Sequence, residues 1–76
     1  MYKCFIDYIN TINTINTYLV ELVEVDSQNN VLNCLEKYEV NYVDDVMYYV
    51  EKILSEHENA KVYSEDEIFL DLFMSL

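Results

Sequence analysis

The chain reads as a small α+β domain, a three-stranded antiparallel sheet covered by two helices in the order βββα(β)α. Three observations predict this class. The N-terminal half carries runs rich in aromatic and β-branched residues, separated by Asn-, Thr- and Asp-containing turns. Residues 41–57 then change to a helical apolar period. A second apolar stripe with its own capping signal closes the sequence after Ser64. With 76 residues the chain forms a single domain, residues 1–76. Folding a chain of this size buries only about 60% of the surface exposed when unfolded, which leaves little room for a deep cleft.

Residues 2–10 alternate Phe5 and Ile9 with Cys4, Ile6 and Tyr8, which suits a first strand. A threefold Ile-Asn-Thr repeat follows over residues 9–17. Its three-residue period fits neither strand nor α-helix, and Asn and Thr tolerate turn conformations, so the middle copy, Ile12-Asn13-Thr14, is expected to be a hairpin loop. Residues 18–25 are apolar on both parities, as a central strand should be. Asp26-Ser27-Gln28-Asn29-Asn30 is the next turn, where asparagine supplies the positive φ that glycine usually provides. Residues 31–40 read as a third strand, with Leu32, Cys34, Tyr38 and Val40 on one parity and Asn33, Lys37 and Glu39 on the other. Val31, Leu35 and Tyr38 also fall at helical spacing, so a helix over 31–40 stays open as the alternative.

Over residues 41–57, Val43, Val46, Met47, Val50, Ile53 and Leu54 form one stripe of an amphipathic helix. Asn41 is its expected cap, and Asp44 and Asp45 complement the dipole of its first turn. The opposite face carries Asp44, Asp45, Tyr48, Glu51, Lys52 and Ser55. Asn59-Ala60 ends the helix, and Lys61-Val62-Tyr63 offers a short edge strand. Ser64-Glu65-Asp66-Glu67 fits a capping box opening the second helix, whose stripe is Ile68, Phe69, Leu72, Phe73 and Leu76.

Four basic residues against fifteen acidic ones give a net charge of −11. Small domains commonly carry a magnitude of about 2–8. The absence of glycine excludes the phosphate-cradling loops, which need residues without a Cβ. Without arginine, and with only the scattered Lys3, Lys37, Lys52 and Lys61, there is no basic patch for nucleic acid or an anionic membrane. The partner is instead expected to be basic. The Asn, Ile and Tyr usage is that of an AT-rich genome, which ordinarily raises lysine too; scarce lysine here points to selected acidity. Lys3 is followed by Asp7 before any secretory apolar core can form, and no apolar run reaches a membrane span, so a cytoplasmic protein is expected. Cys4 and Cys34 have neither zinc-site spacing nor the density of a disulfide scaffold. Two buried free thiols are the ordinary reading, with a disulfide between neighbouring strands as the alternative.

No catalytic constellation emerges, and no enzyme is expected. His57 between Glu56 and Glu58 is explained by a solvated helix end, and Cys4, Cys34 and Ser64 have no base paired with them by any signature. The runs Asp44-Asp45 and Glu65-Asp66-Glu67 lack the ligand alternation and glycine of a calcium loop, so no metal site and no cofactor are expected. Solubility accounts for part of the acidity, but charge self-repulsion at −11 costs folding free energy, which makes function the better reason for it. Duplex DNA carries about one charge per 1.7 Å of axis, and a compact protein displaying carboxylates at comparable density can occupy a basic groove in its place.

The clusters Asp44-Asp45, Glu56-His57-Glu58 and Glu65-Asp66-Glu67, interleaved with Tyr42, Tyr48, Tyr49 and Tyr63, give a short, glycine-free acidic chain. In composition it resembles the small inhibitors of phages and mobile elements: anti-CRISPR proteins, anti-restriction proteins and uracil-DNA glycosylase inhibitors. That resemblance implies a non-enzymatic inhibitor that blocks the nucleic-acid-binding site of a host defence protein, with an anti-CRISPR role foremost. It assigns no residues. The residues themselves nominate a partner-binding set of Asp44, Asp45, Tyr48, Tyr49, Glu51, Glu56, Glu58, Glu65, Asp66 and Glu67, with carboxylates for lysine and arginine and tyrosines for apolar gaps. Packing is expected for Tyr8, Tyr18 and Tyr38, and exposure for Tyr48. The alternative is an acidic structural or regulatory module, as a homodimer, whose charge serves solubility.

Overall fold

The computed structural model describes residues 1–65 and Phe69. Its elements are β1 (Tyr2–Ile12), β2 (Ile15–Val25), β3 (Val31–Val40), α1 (Val43–Glu56) and β4 (Lys61–Ser64). They form an α+β fold with one four-stranded mixed sheet in the order β3-β2-β1-β4. The first three strands are antiparallel, as expected, but the sheet does not end there. The optional edge segment becomes β4, which pairs parallel to β1 from Lys3↔Lys61 to Ile6↔Ser64. A parallel neighbour requires a crossover, and α1 supplies it by carrying the chain over one sheet face from the β3 edge to the β4 edge. Residues 31–40 are strand, which settles the strand-or-helix choice. The second predicted helix, with the Asp66 and Glu67 members of its capping box, falls on residues outside those described. Phe69, described alone in that stretch, is helical, buried, and edge-on to Tyr18 with centroids 5.4 Å apart. Ser64 closes β4, and its Oγ donates to the Ile6 carbonyl at 2.9 Å.

The hairpin turn comes from the middle repeat copy. Ile12 pairs with Ile15, and Asn13 (φ 51°) and Thr14 (φ 65°) form a two-residue loop with both residues in the left-handed region. Asparagine adopts that region readily, whereas β-branched threonine is strained there. At the second turn Asn29 takes φ 64°. The Asp26 carboxylate accepts the backbone N–H groups of Gln28 (2.8 Å) and Asn30 (2.9 Å). The Asn30 amide N–H first, and its side chain and the Gln28 amide after it, hold the Asp26 carboxyl below its ordinary value.

The core lies between the sheet and α1. Cys4 and Ile6 of β1, Tyr18, Val20 and Leu22 of β2, and Val40 of β3 meet Val46, Val50 and Ile53 of α1, with Ala60 and Phe69 completing the cluster. Three stripe members, Val46, Val50 and Ile53, are buried; Val43 at the first turn is exposed. Asn41 does not cap the helix. Tyr42 occupies the cap position without a side-chain bond, while Asn41 Nδ2 donates to the Asn16 carbonyl (3.1 Å) and Thr17 Oγ1 (3.2 Å), tying the helix entry to β2. Two irregularities in the β2–β3 pairing leave Leu35 and Leu32 without partners in the register, and Cys34 comes to lie opposite Val23. Cys34 therefore does not share the face of Tyr38 and Val40, contrary to the simple alternation expected.

Replacing Thr14 with Gly should relieve the left-handed strain, which outweighs the added freedom of the unfolded chain. A net gain of roughly 0.5–1 kcal/mol is expected in denaturant unfolding; an unchanged or lower midpoint contradicts a strained Thr14. For Asp26, a carboxyl whose folded pKa is depressed contributes stability that is present above its unfolded pKa of about 3.9 and is lost as pH falls through the folded value. Asp26→Asn should therefore be less stable than wild type at neutral pH, and the gap should close on acidification below about pH 4. A gap of constant size from pH 7 to pH 3 would remove Asp26 from the turn's support.

Candidate protein-interaction face

The buried stripe of α1 decides where its carboxylates point. With Val46, Val50 and Ile53 against the sheet, Asp44, Tyr48 and Glu51 run at i, i+4 and i+7 along one flank, and Asp45, Tyr49, Lys52 and Glu56 along another. Asp44, Asp45, Glu51 and Glu56 are all exposed, as are Glu58 in the turn after the helix and Glu65 beyond β4. Tyr48 stands out from this surface at 62% exposure, as the sequence suggested. Asp66 and Glu67 lie outside the described residues. Thus α1 gathers six of the nominated side chains, Asp44, Asp45, Tyr48, Tyr49, Glu51 and Glu56, while Glu65 lies just past the end of the edge strand β4.

Tyr49 behaves differently from Tyr48. It is half-buried, packs against the core and stacks on Tyr38 at 4.1 Å and 14° between planes. Tyr48 leans edge-on to it at 5.1 Å. Tyr49 thus supports Tyr48 from beneath. Tyr18 is buried and Tyr38 half-buried, as packing residues should be, but Tyr8 at the hairpin is exposed, with its hydroxyl against Thr11 Oγ1.

The lysines are placed apart from these carboxylates. Cys4, Ile6, Tyr18, Val20 and Leu22 face α1, so strand alternation puts Lys3, Lys37 and Lys61 on the far side of the sheet. There they share the surface with Asp7, Glu21 and Glu39, and the register sets Glu21 directly opposite Lys37. Lys3 Nζ lies 4.3 Å from the Tyr63 ring centroid, a cation–π contact. The outer sheet face is therefore close to neutral. Only Lys52 sits on α1, and its Nζ is tied to the Tyr38 hydroxyl at 3.4 Å. That hydroxyl first, and the Glu56 and Glu36 carboxylates after it, hold the Lys52 ammonium above its ordinary value.

Line density measures how nucleic-acid-like the helix is. Fourteen residues at about 1.5 Å each span about 21 Å, so four carboxylates stand roughly one per 5 Å. One DNA strand carries a charge about every 3.4 Å. α1 alone is sparser than a strand, and further acidic segments are needed to approach its density.

The two cysteines are free, so no disulfide joins the strands. Cys4 is buried, and desolvation, with the Glu36 charge after it, pushes its thiol up to about 12. Cys34 is exposed rather than buried, because the β3 irregularity turns it outward; its Sγ donates to Glu21 at 3.6 Å. Among the described residues no helix is long and apolar enough to cross a membrane. No protein-family model, curated protein or solved structure matches the chain.

Three features escaped the sequence reading. Tyr42, noted among the acidic clusters but left out of the partner-binding set, is exposed beside the first turn of α1, Ile9, Ile12 and Ile15 are exposed along the hairpin, and Glu36 meets the Glu56-His57 pair from a different element. The first two could have been found by asking which apolar residues the core stripe leaves over. The third depends on strand–helix packing, for which local spacing carries no signal.

Proposed function

We propose that this protein is a non-enzymatic inhibitor that places its acidic α1 face in the nucleic-acid-binding site of a basic host protein, in the manner of the phage and mobile-element inhibitors, anti-CRISPR foremost. The observation that supports this reading is the separation of charge: the outer sheet face is near neutral, and the helix side keeps its carboxylates with one already engaged lysine. A domain acidic only for solubility has no need to segregate its lysines. In this reading Asp44, Asp45, Glu51, Glu56 and Glu58 meet lysine and arginine side chains, and Tyr48, braced by Tyr49, fills the apolar space between them. Glu65, Asp66 and Glu67, which follow β4 in the sequence, would supply the further carboxylates that bring the charge nearer to that of a nucleic-acid strand.

One observation favours the alternative of a self-associating acidic module. Among the described residues β3 is a ten-residue edge strand with Val31, Leu32 and Leu35 exposed, and an unpaired apolar edge is a template for strand addition. Sedimentation separates the two readings: a monomer at micromolar concentration is expected for the inhibitor, whereas a dimer abolished by Leu35→Lys would favour the module.

The charge placement is tested on the partner captured from host lysate. Substituting Asp44, Asp45 and Asp66 with Asn and Glu65 with Gln should weaken binding at least tenfold. Raising salt from about 50 to 200 mM should weaken the wild-type complex by a comparable factor. Binding indifferent to both changes would rule out an electrostatic interface.

A further inference from the structure

Glu36 of β3 and Glu56 and His57 at the end of α1 each offer one ligand atom, and these atoms lie within 4.8 Å of one another. We propose that they form a site for one divalent transition-metal ion of the zinc class, which clamps β3 to the C-terminal end of α1. His57 Nε2 and Glu36 Oε2 are 3.9 Å apart. That is too long for a hydrogen bond. Two ligands at about 2.0–2.2 Å from a shared zinc stand about 3.4 Å apart in a tetrahedral shell, so a side-chain adjustment of about half an ångström brings this pair into coordination.

A second observation points into the same space. Glu36 Oε2 is itself removed from solvent, although the Glu36 side chain as a whole is 24% exposed, and it has no hydrogen-bond donor among the described residues. A buried carboxylate oxygen needs a cation or a donor to offset its lost hydration. The other oxygen is already fixed: Glu36 Oε1 accepts the Tyr38 hydroxyl at 2.6 Å, which aims Oε2 towards His57. Tyr38 is in turn held by its stack on Tyr49 and by Lys52. The His57 ring packs at 5.1 Å on Tyr2, and its backbone N–H donates to the Ile53 carbonyl at 2.9 Å, which fixes the main chain from which the ring projects. Outer partners that orient ligands in this way are the usual support of a metal site. Glu56 is exposed and is the ligand free to swing in.

The donor set selects the ion. One imidazole and two carboxylates with an open fourth position suit zinc, whereas calcium asks for six to eight oxygens and magnesium for a near-octahedral oxygen shell. Two carboxylates neutralise a divalent charge, and the −11 field of the chain concentrates cations around it. The ordinary alternative is a bare His57–Glu36 ion pair.

The test is a calorimetric titration of zinc, and separately of magnesium, into the chelator-treated full chain. It is run in a Cys34→Ser background to remove the exposed thiol. One zinc per chain at micromolar affinity or tighter is expected, with magnesium at least a hundredfold weaker. His57→Gln and Glu36→Gln should each weaken zinc binding at least tenfold, while Glu58→Gln, outside the cluster, should change it less than threefold. His57 is the only histidine, so its ring nitrogen resonances report coordination directly and must shift with zinc but not with magnesium; this readout holds even if Glu36→Gln disturbs the fold. Zinc uptake that magnesium matches, that Glu58→Gln weakens as much as His57→Gln, or that leaves the ring resonances unmoved would overturn the site.

Discussion

The packing of Val46, Val50 and Ile53 onto Cys4, Ile6, Val20 and Leu22 decides which side of α1 and of the central strands forms the core. Among the described residues, α1 on one sheet face, with Ala60 and Phe69, closes the core. Once the stripe is docked, seven positions of α1 are left exposed, and four of them, Asp44, Asp45, Glu51 and Glu56, are carboxylates. The same packing turns the odd-numbered positions of β1 away from the helix, and Lys3 goes with them. Charge segregation is thus a consequence of the core, read through the two periodicities of helix and strand.

The arrangement has an energetic cost. Like charges along α1 repel one another, and Lys52, its one cation, is engaged with Tyr38 and flanked by Glu56 and Glu36. The Asp44-Asp45 pair recovers part of this through the helix dipole at the first turn. The C-terminal end has no such compensation: Glu56 and Glu58 stand where the dipole favours cations, and no basic residue occupies the last turn. A carboxylate pair with a histidine at a negative helix end is therefore a place where a bound cation would relieve strain as well as occupy ligands. The proposed metal site and the proposed acidic face share this origin but involve largely different side chains.

What could be read from the sequence follows from how local each signal is. The two turns were legible because Asn13, Asn29 and Asp26 act on their own backbone within a few residues. The α1 stripe was legible because its period repeats over three turns. Lost were the features set by distant partners: Asn41 bonds to Asn16 and Thr17 of β2 rather than capping the helix beside it. The face of Cys34 was lost to irregularities that alternation cannot foresee, and the parallel pairing of β4 to a crossover whose length says nothing of direction. Within the candidate face, exposure of Tyr48 followed from the helix period alone, whereas the inward role of Tyr49 required knowing that Tyr38 lies beneath it.

The central proposal is that the α1 face and a nucleic acid compete for one basic surface. Competition on the partner captured from host lysate tests it most directly. The complex is held on beads and challenged with increasing concentrations of the nucleic acid that the partner binds. Displacement of the protein, with occupancy falling as a single competitive isotherm, is the expected result. A complex that retains the protein while the partner also binds its nucleic acid would contradict it.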